Sequence, residues 1–303
     1  MRTAPGRPFV LAALAAAVAA AAALLGASAA DAQGVSFQDV LALPATPADA
    51  RIAYGPGPQQ FGELWLPRAR GLHPVAIVVH GGCWRSQYGE AHVRPVCAAL
   101  ARAGIAAWCL EYRRLGDEGG GWPGTLEDVA RGADHVRQLA QPHGLDLGRV
   151  VAVGHSAGGH LALWLAGRSR LPDADPRRGK DPLRLRGVVG LAPIPDLARA
   201  GGDQVCGDSV PLLLGGLPDA RPDRYAAASP SALLPLGVPQ QLVHGREDRI
   251  VPIAMSERYV AMAREKGDTA GLVAIDGAGH FDLIAPTSKA WRQVEEAVLA
   301  LLK

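Results

Sequence analysis

The chain has 303 residues, with 31 basic and 29 acidic side chains and a formal net charge of +2 at pH 7. A balance so close to neutral excludes an electrostatic case for binding nucleic acid or an anionic membrane surface. Hydrophobic residues make up 49% of the sequence, and this share over this length suits one large domain with a buried core.

The N-terminal 32 residues have the pattern of a secretory signal peptide. Two arginines precede an apolar stretch from Phe9 to Leu25, and the small residues Ala30-Asp31-Ala32 stand before Gln33. At about 17 residues the stretch is short for a membrane span, so a retained anchor is the weaker alternative. The pattern predicts a leader at 1–32 and a mature periplasmic or secreted domain at 33–303, with no stable membrane insertion after cleavage.

The domain that follows alternates between apolar strands and helices. Its predicted strands are 51–54, 61–66, 75–79, 105–111, 149–153, 187–191, 239–244 and 272–276. Its predicted helices are about 90–103, 125–140, 157–167, 252–266 and 287–302. Such alternation predicts the α/β class, with a mostly parallel sheet covered by helices on both faces. Residues 196–237, rich in Gly, Pro and Asp, interrupt the alternation and are predicted to form a small cap-like insert.

A glycine-rich loop follows the strand at 75–79. Its sequence is His80-Gly81-Gly82-Cys83-Trp84, and its glycines allow backbone N–H groups to point at a developing negative charge. The N–H groups of Gly82 and Cys83, together with that of Ala157 further along the chain, are the predicted oxyanion hole. We expect the His80 side chain to hold this loop through hydrogen bonds.

The strongest motif follows the strand at 149–153. Gly154-His155-Ser156-Ala157-Gly158 matches the G-x-S-x-G pattern, and the helix at 157–167 begins within it. Small residues flank the serine in such a nucleophile elbow because the backbone is strained there and strand and helix approach closely. The motif predicts Ser156 as a nucleophile; the alternative is a serine in an ordinary strand-to-helix turn.

An acid and a histidine follow the serine in the order that a catalytic triad requires. Asp248 lies in the loop after the strand at 239–244, and His280 lies in the loop after the strand at 272–276. Each residue stands just past the carboxyl end of a predicted parallel strand. Asp282 is the rival acid, but its place beyond the histidine favours Asp248. The predicted catalytic residues are therefore Ser156, Asp248 and His280.

Other side chains near these motifs have more than one interpretation. His160, on the helix after the serine, is expected to pack and form hydrogen bonds rather than act as a second base. Glu111, beside two arginines, is expected to be an ion-paired support. Trp84 either walls the pocket or packs in the core. The loop at 119–124 either shapes the substrate entrance or is a plain turn.

Four cysteines could form up to two disulfides in an exported protein, and none of their spacings predicts a metal site. Cys97 falls on the inward face of its helix, where a free thiol packs as a small hydrophobic group. Cys206 lies in the insert and is the cysteine most expected to be bonded. Its partner is either Cys83 or Cys109.

These motifs together resemble the α/β-hydrolase superfamily. The resemblance is closest to kynurenine-formamidase-like and hormone-sensitive-lipase-like esterases, and prolyl-oligopeptidase-type peptidases are more distant. It covers roughly residue 75 to the C-terminus. One departure is Cys83, which stands at the third glycine of the lipase-type loop. The segments that carry the resemblance are 80–84, 111–114, 154–160, 244–248 and 277–281.

The resemblance and the triad predict a serine hydrolase that cleaves small carboxylic esters or amides through an acyl-enzyme. No metal or organic cofactor is required. Arylformamidase or small-peptide serine peptidase activity is the alternative. A non-catalytic binding module of the same fold is disfavoured by the complete triad. The sequence leaves the natural substrate, the acyl-chain preference and the oligomeric state open.

Overall fold

The computed structural model of the protein describes Met1 and residues 34–303. Apart from Met1, the predicted leader and its cleavage site therefore lie outside the described residues. The strands are β1 (Ala50–Ala53), β2 (Phe61–Trp65), β3 (His73–Val79), β4 (Ala106–Leu110), β5 (Leu145–His155), β6 (Gly187–Leu191), β7 (Gln240–Gly245) and β8 (Ala270–Ile275).

Helices connect most of these strands. They are α1 (Phe37–Ala42), α2 (Arg94–Arg102), α3 (Gly124–Asp134), α4 (Val136–His143), α5 (Ala157–Gly167), α6 (Leu197–Gly202), α7 (Ser209–Leu214), α8 (Pro222–Ala228), α9 (Ala254–Glu265) and α10 (Trp291–Leu302). Within residues 34–303, four short 3₁₀ turns accompany them, at Glu90–Val93, Arg168–Arg170, Pro230–Leu233 and Asp282–Ile284.

The eight strands of residues 34–303 form one sheet in the order β1-β2-β4-β3-β5-β6-β7-β8. The pairs β1–β2 and β2–β4 are antiparallel, and the other five pairs are parallel. Two parallel strands can be joined only by a crossover connection that carries the chain back to the starting edge of the sheet, and such a connection is usually a helix. The predicted α/β architecture with a mostly parallel sheet is confirmed.

Both faces of the sheet are buried, which explains why its central strands are continuous apolar runs. In β3, Val75, Ile77 and Val79 face one hydrophobic cluster, while Ala76 and Val78 face the other. Helices α3, α4, α5 and α9 supply side chains to the first cluster, and α1, α2 and α10 supply the second. No helix in the described part of the chain is long and apolar enough to span a membrane.

The bounds of several predicted elements differ from those in the structure; the helix expected at 287–302, for example, begins at Trp291. The helix expected at 125–140 is two helices, α3 and α4, that meet at His135. The helix expected at 90–103 starts with a 3₁₀ turn, and α2 follows with Pro95 in its first turn, where a missing N–H is tolerated. The strand expected at 149–153 extends over Leu145–His155, with an irregularity in its pairing to β3 near His73.

The insert at 196–237 is helical. It contains α6, α7, α8 and the 3₁₀ turn Pro230–Leu233, and its apolar residues join the same cluster as α5. The α5 side chains His160 and Trp164 contact the carbonyls of Ala228 and Ala227 at 2.9 Å each. The insert is therefore fastened to the helix that follows Ser156, and its role as a cap stays a prediction.

Candidate active site

The turn between β5 and α5 has the geometry of a nucleophile elbow. Ser156 has φ +57° and ψ −122°, a conformation that non-glycine residues seldom adopt. A Cβ at Gly154 would overlap the carbonyl oxygen of Gly158, and a Cβ at Gly158 would overlap that of Val79. Only residues without a side chain fit these two positions, which is the physical reason for the G-x-S-x-G spacing.

Asp248 and His280 form a direct hydrogen bond. The distance from His280 Nδ1 to Asp248 Oδ2 is 2.7 Å, and both side chains are buried. The second carboxylate oxygen, Oδ1, accepts hydrogen bonds from the backbone N–H groups of Ile250 (2.8 Å) and Val251 (2.9 Å). This arrangement orients the imidazole so that its other nitrogen is free for chemistry.

Burial opposes the ionisation of Asp248, but its hydrogen bonds reverse that effect. Contacts with His244 and His280 and the N–H of Val251 hold the pKa of Asp248 well below its usual range. The His244 Nε2 atom lies 3.4 Å from Asp248 Oδ2 and 2.8 Å from the carbonyl oxygen of Val251. Asp248 is therefore a carboxylate at neutral pH.

The rival acid Asp282 has a different set of partners. Its Oδ2 atom accepts hydrogen bonds from the N–H groups of Gly279 (3.0 Å) and Val35 (3.2 Å). None of the hydrogen bonds within residues 34–303 joins Asp282 to the imidazole of His280. Asp282 thus ties the loop that carries His280 to the segment before α1.

His155, the residue before the serine, connects the elbow to His280. The two rings pack with centroids 4.4 Å apart, and His155 Nε2 lies 3.0 Å from the carbonyl oxygen of His280. The turn of Ser156 and the Asp248–His280 pair therefore meet at one edge of the sheet. Among the described residues no hydrogen bond joins the Ser156 hydroxyl to His280. In enzymes without substrate the distance between a nucleophile and its base often exceeds hydrogen-bond length, and it shortens when substrate binds.

The loop after β3 lies directly against the elbow. A Cβ placed on Gly81 would be 3.0 Å from Ser156 Cβ and 2.7 Å from the carbonyl oxygen of His155. Gly82 and Cys83 have φ values of +104° and +53°. Within residues 34–303 the backbone N–H groups of Gly82, Cys83 and Ala157 make no hydrogen bond, which leaves these donors for a ligand.

The predicted hydrogen bonds of His80 are present. Its Nδ1 lies 2.8 Å from the carbonyl oxygen of Gly81, and its Nε2 lies 3.0 Å from Glu111 Oε1. Glu111 also receives a bond from Arg114 at 3.1 Å. Burial raises the pKa of Glu111, but His80 and Arg114 together lower it to about 2. Glu111 is thus an ion-paired support for the loop, as expected.

Trp84 and His160 form part of the core. Trp84 is fully buried, and its Nε1–H donates to His160 Nδ1 at 3.2 Å. The interpretation of Trp84 as a pocket wall is therefore wrong.

His244 was not among the predicted site residues. It stands four residues before Asp248 at the end of β7, and a polar residue there, after an apolar run, was the available signal.

The structure has one disulfide among its four cysteines, between Cys83 and Cys206. It settles the two open alternatives in favour of Cys83. Cys109 and Cys97 are free and buried, so the interpretation of Cys97 as a packed thiol is confirmed.

The loop at 119–124 packs on the insert, where the N–H of Trp122 donates to the carbonyl of Leu213 at 2.8 Å.

Three buried histidines make the fold sensitive to acid. Burial lowers the pKa of His92 to about 3 and that of His160 to about 4, and it holds the pKa of His155 well below 6.5. The unfolded chain takes up protons near pH 6.5 while these folded histidines stay neutral. The contribution of these three histidines to the free energy of unfolding is therefore fully present above that pH and is lost as the pH drops toward 4. For each histidine the loss amounts to about 1.4 kcal/mol for each unit by which its folded and unfolded pKa values differ.

We expect the melting temperature to fall steeply between about pH 7 and pH 4.5 in circular dichroism scans. His160→Gln removes one of these histidines and should make that fall smaller. His143→Gln changes a half-buried histidine of α4 that is not one of these three, and it should leave the fall in melting temperature unchanged. A melting temperature that is constant over this pH range would contradict the assignment of neutral buried histidines.

Residues 63–262 match the BD-FAE family. Esterase LipQ of Mycobacterium tuberculosis is 28% identical over 260 residues, which cover 82% of this chain and 60% of LipQ. Non-reducing polyketide synthase Preu6 of Preussia isomera is 28% identical over 76% of this chain and 13% of its own length. The chain thus spans less than two thirds of the length of either relative.

A solved structure of an inhibited esterase B from Lactobacillus rhamnosis superposes with a TM-score of 0.73. The two proteins are 21% identical, and 96% of each chain is covered. This similarity concerns the fold, and it confirms the predicted α/β-hydrolase architecture.

Proposed function

The chain belongs to the BD-FAE family, and from this membership together with the geometry of the site we propose that the protein is a serine carboxylesterase-like hydrolase. Its substrates are small carboxylic esters or amides. The observation that carries the proposal is the 2.7 Å bond between Asp248 and His280 at the edge where the strained turn of Ser156 lies. The similarity to the esterase LipQ supports it.

In the proposed reaction Ser156 Oγ attacks the substrate carbonyl carbon. His280 Nε2 takes the serine proton, and its Nδ1–H donates to the Asp248 carboxylate, which stabilises the imidazolium. The tetrahedral intermediate collapses as His280 passes the proton to the leaving group, so an alcohol or amine departs and an acyl-enzyme remains. A water molecule, deprotonated by His280, then releases the acid and regenerates Ser156.

Negative charge on the substrate oxygen is stabilised by backbone donors. The free N–H groups of Gly82, Cys83 and Ala157 are the proposed oxyanion hole, and Ala157 adds the positive end of the α5 dipole. Loss of one such donor typically costs about 3 kcal/mol of transition-state stabilisation. The chemistry needs no metal or organic cofactor.

The proposal is tested by turnover of p-nitrophenyl acetate and butyrate, with N-formylkynurenine and a dipeptide amide as competing substrate classes. We expect turnover of the short esters and labelling by a fluorophosphonate. A kcat/KM for N-formylkynurenine at least about a hundredfold above the esters, about 2.7 kcal/mol of transition-state binding, would replace the esterase proposal by the formamidase one. A folded protein that neither turns over esters nor takes the label would be the non-catalytic module.

The proposal includes export, with residues 1–32 as a leader that is removed. A disulfide such as Cys83–Cys206 persists in oxidising compartments, which supports a periplasmic or secreted location. Expressed with its leader in a Gram-negative host, the protein should be recovered from the periplasm with Gln33 or a near neighbour at its N-terminus. The matched control lacks residues 2–32 and should stay in the cytoplasm. Full-length chain in the membrane fraction would contradict cleavage.

A further inference from the structure

The Cys83–Cys206 disulfide links one of the proposed oxyanion donors to the insert. The two residues are 123 positions apart in the sequence, and their Cα atoms are 5.5 Å apart. Cys83 lies two residues after Gly81, which touches the turn of Ser156. Cys206 lies between α6 and α7. The bond therefore joins the edge of the site to a segment that carries none of the proposed catalytic groups.

The backbone of Cys83 has little else to hold it. The carbonyl of Gly82 accepts from the N–H of Arg85 at 3.0 Å, and the carbonyl of Trp84 accepts from the N–H of Leu115 at 2.7 Å. Within residues 34–303 neither the N–H nor the carbonyl of Cys83 takes part in a hydrogen bond. The planar peptide unit that carries the Cys83 N–H is thus held at its Gly82 carbonyl. Within residues 34–303 the next unit, from Cys83 to Trp84, makes no hydrogen bond, so the disulfide is what restrains the chain at the Cys83 Cα.

The conformation of this loop needs such a restraint. Gly82, Cys83 and Trp84 follow one another with φ values of +104°, +53° and +56°. A residue with a Cβ disfavours the left-handed region, so Cys83 and Trp84 are held there by their surroundings. Trp84 is held by its buried indole and the hydrogen bond to His160. For Cys83 the corresponding restraint is the disulfide.

The insert is a firm anchor at this point. Ser209 at the start of α7 is fully buried and accepts a hydrogen bond from Arg85 Nε at 2.8 Å. The same guanidinium pairs with Asp208. Val205 is buried in the core cluster next to Cys206. The loop and the insert are therefore in contact over several residues, with the disulfide at the proposed oxyanion donor.

We propose that Cys206 is a positioning residue for the oxyanion hole, acting through the disulfide to hold the N–H of Cys83 toward the substrate oxygen. This inference rests on the proposed hydrolase function. The donor matters when charge develops on the oxygen, so its displacement weakens binding of the transition state more than binding of the substrate. The signature is therefore a lower kcat with KM little changed.

The test compares four variants in turnover of p-nitrophenyl acetate. Cys206→Ser should lower kcat about tenfold to a hundredfold, with KM within about threefold of wild type. Cys83→Gly/Cys206→Ser also lacks the bond, but glycine adopts positive φ without a steric penalty, so part of the lost kcat should return. Cys83→Ala/Cys206→Ser has no such relief and should stay as slow as Cys206→Ser. Cys97→Ala removes a buried thiol away from this bond and should match wild type.

A purely structural bond gives a different pattern: a lower melting temperature with the wild-type kcat in every folded variant. That result would overturn the inference, as would equal rates for the glycine and alanine double variants. Wild-type protein that is oxidised and folded but inactive would instead overturn the proposed hydrolase function. The two failures are therefore distinguishable.

Reduction of the folded wild-type enzyme covers the case in which Cys206→Ser fails to fold. A dithiol reductant gives two electrons and two protons to the S–S bond, which becomes two thiols, and is itself oxidised to its cyclic disulfide. We expect kcat to fall as in Cys206→Ser and to recover on reoxidation. A reduced enzyme, verified by thiol titration, that keeps the wild-type kcat would contradict the proposed role.

Discussion

Ser156→Ala is expected to lower kcat by about a million-fold, the scale of loss when a triad nucleophile is removed. The change deletes only Oγ, and alanine keeps the backbone able to occupy the turn with φ +57°. Turnover of p-nitrophenyl acetate, measured beside the melting temperature, separates lost chemistry from lost folding. The protein should remain folded, because no hydrogen bond within the described residues depends on the Ser156 hydroxyl.

The matched control for this variant is Ser169→Ala. Ser169 is exposed just after α5, and its hydroxyl contributes nothing to the proposed reaction. We expect wild-type kcat from it. If Ser156→Ala retained more than about one part in a thousand of the wild-type kcat, Ser156 would not be the nucleophile.

Asp248→Asn is expected to cost about ten-thousandfold in kcat while the protein stays folded. An amide oxygen in place of Oδ1 can still accept from the N–H groups of Ile250 and Val251. The amide NH₂ group then faces His280 Nδ1, which must become an acceptor, so the proton moves to the nitrogen that should receive the serine proton. The imidazolium also loses its carboxylate partner. The measurement is kcat of wild type and variant, each at a pH at which its kcat no longer changes with pH.

Asp282→Asn is the matched control, because this rival acid contacts backbone N–H groups and not the imidazole. An amide oxygen can accept both bonds, so kcat should stay within about tenfold of wild type. A mild effect of Asp248→Asn together with a crippling effect of Asp282→Asn would show that the acid is misassigned.

The sheet could be predicted well because burial on both faces leaves a simple trace in sequence. Residues 75–79 of β3 are all apolar, and β6 contains only apolar residues and glycine. His80 follows the first run and Pro193 lies two residues after the second, at the carboxyl edge of the sheet. The division between α3 and α4 could not be predicted, because His135 keeps helical dihedral angles and the amphipathic pattern continues across it. The helices of the insert are six or seven residues long, too short to establish a period.

The positions of the predicted site residues follow from chain order, since loops after parallel strands meet at one edge of the sheet. That rule places Ser156, Asp248 and His280 near one another without any knowledge of distances. It says nothing of His244, whose contact with Asp248 depends on the path of the loop through Val251. It also could not select Cys83 over Cys109 as the partner of Cys206, because the fold of the insert decides which thiol is within reach.

The covalent intermediate offers the most direct test of the proposed mechanism. Enzyme mixed rapidly with an activated ester and quenched in acid should carry one acyl group, and peptide mapping by mass spectrometry should locate it on Ser156. Acyl transfer to another residue, or turnover with no trapped acyl-enzyme under burst conditions, would contradict the account.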